Sequence, residues 1–269
     1  MKVFCISQAR MGSTRLPGKI LSLVNGKSLL QWHCERIQQS KKINSHIIAT
    51  TTNPQDQALV SAFKHFFQLS FVNNARNKSI EFYCGDEHNV LLRYLATAKH
   101  FNLQPDDLIV RLTSDCPLVD PTLIDQLIKQ HIAQNINGIS NIDINSYARG
   151  FDAEVFSMAA LCQAAANADT EYQREHVTPY FYQHPEQYPL LSLKLSAHET
   201  LQLNAEQTDA TPLRLCVDES DDLALITALM AQFPEDIIDA SAAEIMHFLK
   251  QNPEIAKINR HVIQKSHIS

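Results

Sequence analysis

Short apolar runs alternate with amphipathic stretches through the first half of the chain, and this alternation limits the possible folds more than any other feature. Residues 2–6, 46–51, 79–84 and 107–112 read as buried strands. Between them, residues 28–39 carry Leu29, Leu30, Trp32, Cys34 and Ile37 at helical spacing, with Ser28 as the cap. Asn53-Pro54 opens a helix expected to reach His65. Residues 90–101 and 121–134 add two more. The pattern predicts a parallel sheet with helices on both faces. Such sheets bind ligands beyond the carboxyl ends of their strands, where the strand order reverses. The loops after Ile6, Thr51, Cys84 and Leu112 are therefore the places to look for chemistry.

The second half is mixed. Residues 158–168, 175–183, 220–232 and 241–251 read as helices, the last opened by a Ser241/Glu244 capping box. A short strand is expected after "NGIS", and further strands over 190–195 and 213–217. One domain over 1–252 with an inserted lobe at 141–212 is the simplest account, followed by a loosely held tail, 253–269.

Hydrophobic residues make up 45% of the 269, enough for a substantial core. The net charge of −6 and the lack of a long basic run argue against a nucleic-acid surface. No apolar stretch approaches the roughly 20 residues of a membrane span, and "MKVFCIS" does not read as a signal peptide. Cys5, Cys34, Cys84, Cys116, Cys162 and Cys216 form no CxxC pair. They are expected as reduced thiols of a cytoplasmic protein, without a structural zinc.

The loop after the first strand, "QARMGSTRLPGK", ends in Gly-Lys but is no Walker loop. Five residues separate Gly12 from Gly18, and Ile20 stands where the magnesium hydroxyl belongs. It also lacks the GxGxxG of dinucleotide sites. Even so, Arg10, Arg15 and Lys19 concentrate positive charge there, Gly12 and Gly18 allow close backbone approach, and Ser13 and Thr14 add hydroxyls. Such a loop beyond a strand end suits an anion.

This loop closely resembles the N-terminal signature of the sugar-acid cytidylyltransferases, in the spore coat polysaccharide biosynthesis protein F branch related to the CMP-Kdo and CMP-sialic acid synthetases. Further stretches resemble that branch in order: "GDEHNVLLRY", "VRLTSDCPLVDP", "GFDAEVFS", "REHVTPY" and "LRLCVDESDDLALI". The resemblance spans nearly the whole chain. It implies a Rossmann-like α/β/α sandwich of nucleotide-diphospho-sugar transferase type with a small dimerisation lobe, use of CTP, release of pyrophosphate, and Mg2+ (magnesium). Residues 1–140 would form the nucleotide-binding part, and 141–212 the acceptor-binding and dimerisation lobe of a homodimer.

Asp115 and Asp218 each follow a predicted strand. Singly, they also suit a turn and a helix N-terminus; together they suit a hard cation. The resemblance assigns both to the metal. Arg10, Lys19, Asp115 and Asp218 are thus the expected catalytic set. Ala9, Gly12, Ser13, Arg15, Asp86 and Arg93 join Arg10, Lys19 and Asp115 around the nucleotide. Asp152 and Glu154, alternating on a strand, are expected to face the cleft. With Arg174, Glu175 and His176 they form the candidate acceptor site, Arg174 having the fork geometry for a carboxylate or phosphate. Residues 67–79 look longer than the usual connection in the branch, and "YARG" stands before Phe151 where the branch often has proline. The competing readings are a glycosyltransferase of the same fold, which would normally show a DxD motif that Asp143 and Asn145 do not make, and a non-catalytic nucleotide-binding module.

Overall fold

The computed structural model describes residues 1–70, 80–196, 213–234 and 236–263, with backbone alone at 62 and 64–70. The strands are β1 (Val3–Gln8), β2 (Leu23–Val24), β3 (Lys27–Ser28), β4 (Ser45–Thr51), β5 (Ile80–Gly85), β6 (Leu108–Thr113), β7 (Ile139–Ile142), β8 (Glu154–Ser157) and β9 (Leu190–Leu193). The helices, in chain order, are α1 (Leu29–Gln38), α2 (Pro54–Ser70), α3 (Val90–His100), α4 (Pro121–Ala133), α5 (Met158–Asn167), α6 (Glu171–His176), α7 (Pro179–Gln183), α8 (Ser220–Gln232), α9 (Ala242–Gln251) and α10 (Pro253–Ala256).

Seven strands form one sheet in the order β5-β4-β1-β6-β8-β7-β9. The first four are mutually parallel, and β8 is antiparallel to both its neighbours. Strand order reverses at β1, with β4 on one side and β6 on the other. Side chains alternate across the sheet: Val3 and Cys5 join the core under α1, α4, α8 and α9, while Ile6 joins the core under α3 and α5. The α/β sandwich is as expected. The described strands of the expected lobe extend this same sheet; residues 197–212 lie outside the described residues, as does the long connection from 71 to 79.

Three expectations are corrected. The helix over 175–183 is broken in two, because Pro179 opens α7 and Val177 turns at φ +71 and ψ −54. There the amide of Thr178 donates to the carbonyl of His176 at 2.9 Å, a strained γ-turn. Residues 213–217 form no strand; only an isolated bridge joins Arg214 to Arg149. The tail is docked through residue 259: Ile255 is buried, and Asn259 Nδ2 donates to the Arg214 carbonyl at 3.0 Å and Asp222 Oδ1 at 2.7 Å.

Candidate active site

The loop after β1 is shaped by its own backbone. The Met11 carbonyl accepts from the amides of Ser13 (2.9 Å) and Gly18 (3.0 Å), closing residues 11–18. Buried Asp56, in the first turn of α2, holds the Met11 amide at 2.6 Å and accepts from the Thr51 hydroxyl. Gly18 takes φ +70, which a side chain resists, and so starts the single 3-10 turn Lys19–Leu21 that turns Lys19 inward. After β6, the Ser114 amide donates to the Gln8 carbonyl (3.1 Å). His33 Nδ1 bonds the Cys116 carbonyl at 2.8 Å, fixing the peptide next to Asp115. The segment carrying Asp218 is pinned to the same place, since the Val217 amide donates to the Asp115 carbonyl at 2.8 Å.

Asp115 and Asp218, 103 positions apart in sequence (218 − 115), therefore converge. Lys19 Nζ lies between them, 2.8 Å from Asp115 Oδ2 and 2.7 Å from Asp218 Oδ1. Arg15 Nη2 reaches Asp218 Oδ1 at 3.0 Å, and Arg214 pairs with Asp218 Oδ2 and, through Nε at 3.1 Å, with Asp222 Oδ1. Burial alone would raise the Asp218 pKa, but Lys19, Arg15 and Arg214 outweigh it and hold the carboxyl at about 2. Burial would likewise lower the Lys19 pKa, but the two carboxylates raise it above the ordinary lysine value.

Lys19, Arg15, Asp115 and Asp218 line a cavity of about 640 Å³ over the carboxyl ends of β1 and β6. Ala9, Arg10, Ser13, Arg15, Lys19, Arg93, Asp115 and Asp218 all reach its wall. Arg174, Glu175 and His176 face it from α6. Gly12 and Asp86 are in neighbouring loops but not on the wall. Asp86 instead accepts from the amides of His88 and Asn89, each at 2.8 Å, in the turn that leads into α3.

Asp152 and Glu154 do not line the cavity, contrary to expectation. Asp152 closes its own turn on Arg149 and the Gly150 amide. Glu154 lies opposite Arg111 in the β6–β8 register, pairs with it at 2.6 Å, and accepts from Thr178 Oγ1 and Tyr182 Oη. The half-buried Arg111 guanidinium is matched by that counter-charge.

Sequence reasoning missed Glu87, His88, Thr113, Ser114 and Glu171 on the wall, and Arg214 and Asp56 behind it. Arg214 had a signal: in "LRLCVD" the alternation places it on the same side as Asp218. Three buried polar atoms of wall residues, Gln8 Oε1, Ser114 Oγ and Arg93 Nε, have no hydrogen-bond partner.

The donor set fits magnesium. Two carboxylates that already converge on one cation match an ion usually held by one or two carboxylates plus substrate phosphates. Among the described residues no group of three or more His, Cys, Asp or Glu gathers into a protein-only metal cage. No described helix is long and apolar enough to cross a membrane.

Comparison with known proteins agrees with this geometry. The family model described as cytidylyltransferase matches residues 4–255. An uncharacterised protein of Methanocaldococcus jannaschii is 33% identical over 99% of this chain and 98% of its own length. The spore coat polysaccharide biosynthesis protein SpsF of Bacillus subtilis is 31% identical over 94% of this chain and 96% of its own. A 3-deoxy-manno-octulosonate cytidylyltransferase of Thermodesulfovibrio yellowstonii is 30% identical over 48% of this chain and 47% of its own. The solved structure of a cytidylyltransferase from Leptospira borgpetersenii superposes with a TM-score of 0.79 at 28% identity, covering 95% of this chain and 97% of that one. The chain belongs to the cytidylyltransferase family and is a nucleotidyltransferase.

Proposed function

We propose that this enzyme transfers CMP from CTP to a sugar acid, with release of pyrophosphate, in a magnesium-dependent reaction serving cell-surface polysaccharide synthesis. The observation that carries the reading is the convergence of Asp115 and Asp218 on Lys19 in a cavity also walled by Arg10, Arg15 and Arg93. An anionic triphosphate needs cations around its phosphates and carboxylates for its metal. The sugar-acid and polysaccharide parts draw on the names of the Thermodesulfovibrio and Bacillus relatives.

In this reading an acceptor hydroxyl oxygen attacks the α-phosphorus, the bond to the bridging oxygen breaks, pyrophosphate leaves, and the hydroxyl proton passes to a base. Arg10 and Lys19, with Arg15 beside them, neutralise the charge growing on the leaving group. Asp115 and Asp218 would hold magnesium, which would supply Lewis-acid polarisation of the phosphate. Asp218 stays held by Arg15 and Arg214 as a ligand. Arg174 meets the acceptor carboxylate, with Glu175 and His176 beside it on α6. The reading extends to a cytoplasmic homodimer, which light scattering of the purified protein checks.

Thermal unfolding with CTP, ATP, UTP and GTP, each with and without magnesium, tests the core of the proposal. CTP with magnesium should raise the midpoint most, Asp115→Ala should lose the metal dependence, and pyrophosphate should appear when a 3-deoxy sugar acid is added. Stabilisation by a nucleotide sugar but by no triphosphate would overturn it in favour of a glycosyltransferase.

A further inference from the structure

Lys19 has two destinations in this site, and it cannot occupy both. Its ammonium stands between Asp115 Oδ2 and Asp218 Oδ1, where a cation bridging those carboxylates would sit, and its side chain is only 9% exposed. A divalent cation cannot share that gap with an ammonium at hydrogen-bond distance from the same oxygens. Resting on the nucleotidyltransferase reading above, we infer that Lys19 is the resident cation of the carboxylate pair in the nucleotide-free enzyme and leaves only when a triphosphate draws it away, so that metal enters with or after the nucleotide.

The surroundings support this order. The other direction open to Lys19 is away from the carboxylate pair along the cavity wall, which carries Arg10, Arg15, Arg93 and Arg174 as well as Glu87, Glu171 and Glu175. Without a bound anion, leaving Asp115 and Asp218 costs Lys19 two ion pairs at hydrogen-bond distance; a triphosphate supplies the replacing negative charge. The change requires only a side-chain swing. The Lys19 backbone is held by the 3-10 turn, with its amide on the Leu16 carbonyl at 3.2 Å, while its stem is a flexible chain of methylenes. Asp218 does not collapse when Lys19 leaves, because Arg15 and Arg214 still hold it. Asp115 and Asp218 stay registered through the Val217–Asp115 backbone bond. Linkage then makes the effect reciprocal: nucleotide strengthens metal binding, and metal strengthens nucleotide binding, by the same factor.

The test uses Mn2+ as the metal probe and water-proton relaxation, which separates protein-bound Mn2+ from the Mn2+–CTP complex in solution. Wild type, Lys19→Met and Lys19→Gln are titrated without nucleotide, and wild type also with CTP and no acceptor. Lys19→Gln keeps a hydrogen bond to one carboxylate and guards against a folding failure of Lys19→Met. Both variants should bind Mn2+ at least about tenfold tighter than nucleotide-free wild type, and adding Asp115→Asn to either should abolish the gain. CTP should convert wild type to a Mn2+-binding form. Unchanged Mn2+ affinity in both variants, with CTP-dependent binding intact in wild type, overturns the Lys19 inference alone. Absence of protein-bound Mn2+ in every sample, CTP included, overturns both it and the metal-dependent reading of the enzyme.

Discussion

At the scale of single residues, Asp218 is the most constrained group in the site. Three cations contact its two oxygens, and its own amide donates to Asp222 at 2.8 Å. Asp115→Asn and Asp218→Asn should each lower kcat by about a hundred- to thousandfold while leaving the fold intact, as circular dichroism would check. The carboxyl also couples stability to pH. Its folded pKa of about 2 lies below the ordinary 3.8, so the stabilisation is fully present above about pH 4 and is lost as pH falls through 2. The shift corresponds to about 2 kcal/mol. Urea unfolding of wild type and Asp218→Asn should show a stability gap at pH 6 that narrows by about that amount near pH 2.5. A gap independent of pH would mean that the carboxylate is not held by its cations. Arg10, Arg15 and Lys19 could be grouped from the sequence because they share a charged glycine-bearing loop, and Asp115 because it follows a strand end; Asp218 is reached through a strand over 213–217 that does not form. Asp152 and Glu154 misled because alternation on a strand says that two side chains share a side, not which side or with what partner. Nothing local to Glu154 announces the half-buried Arg111 that takes it.

At the scale of elements, the segment that delivers Asp218 is held by neighbours and not by a ladder of its own. Arg149 and residues 213–215 exchange two backbone bonds, Arg149 amide to Leu213 carbonyl (3.1 Å) and Leu215 amide to Arg149 carbonyl (2.6 Å). Gly150 makes this approach possible. It adopts φ +109, and a Cβ there would fall 2.6 Å from the Leu215 carbonyl carbon, which is backbone and cannot rotate away. Gly150→Ala should cost about 2–3 kcal/mol and lower kcat by displacing Asp218, seen together in denaturant melts and turnover. Normal turnover in a destabilised variant would show that the segment carries the carboxylate independently of Gly150. The same segment shows where periodicity stops being sufficient. Leu213, Leu215 and Val217 alternate as a strand should, yet a strand needs a partner along its length, and here only one bridge forms. The long elements were legible because period and caps agreed: Ser28 caps α1, Pro54 opens α2, and Ser241 with Glu244 closes a capping box on α9. The break at Val177 was not, because a β-branched residue at positive φ is a tertiary demand that no local preference encodes.

At the scale of the whole molecule, the C-terminal helices and the nucleotide half form one unit. Arg36 on α1 is fully buried and donates to the carbonyls of Val119, Ile237, Ile238 and Ala240, joining α1 to the turn before α9. Arg36→Met leaves those carbonyls without their donor and should cost about 3–5 kcal/mol with a single unfolding transition. Two separate transitions would show that the C-terminal helices fold apart. Among the described residues the interior carries three buried imidazoles, His33 on α1, His46 on β4 and His131 on α4. Burial pushes His33 and His131 from the ordinary 6.5 down to about 4, His33 despite its bond to the Cys116 carbonyl. In this case the unfolded chain binds the proton first, so the stabilisation is fully present above pH 6.5 and is lost as pH falls through 4. Each group contributes up to about 1.4 kcal/mol per pH unit across that window. The Asp218 window opens only below it, near pH 4, so the two effects separate along the pH axis. Wild-type stability should therefore already fall between pH 6.5 and 4.5. His33→Gln, which removes one of the titrating imidazoles and keeps an amide donor and acceptor near Ser7 and the Cys116 carbonyl, should flatten that slope without changing the loss near pH 2. A slope unchanged by His33→Gln would assign the acid sensitivity to groups other than this core.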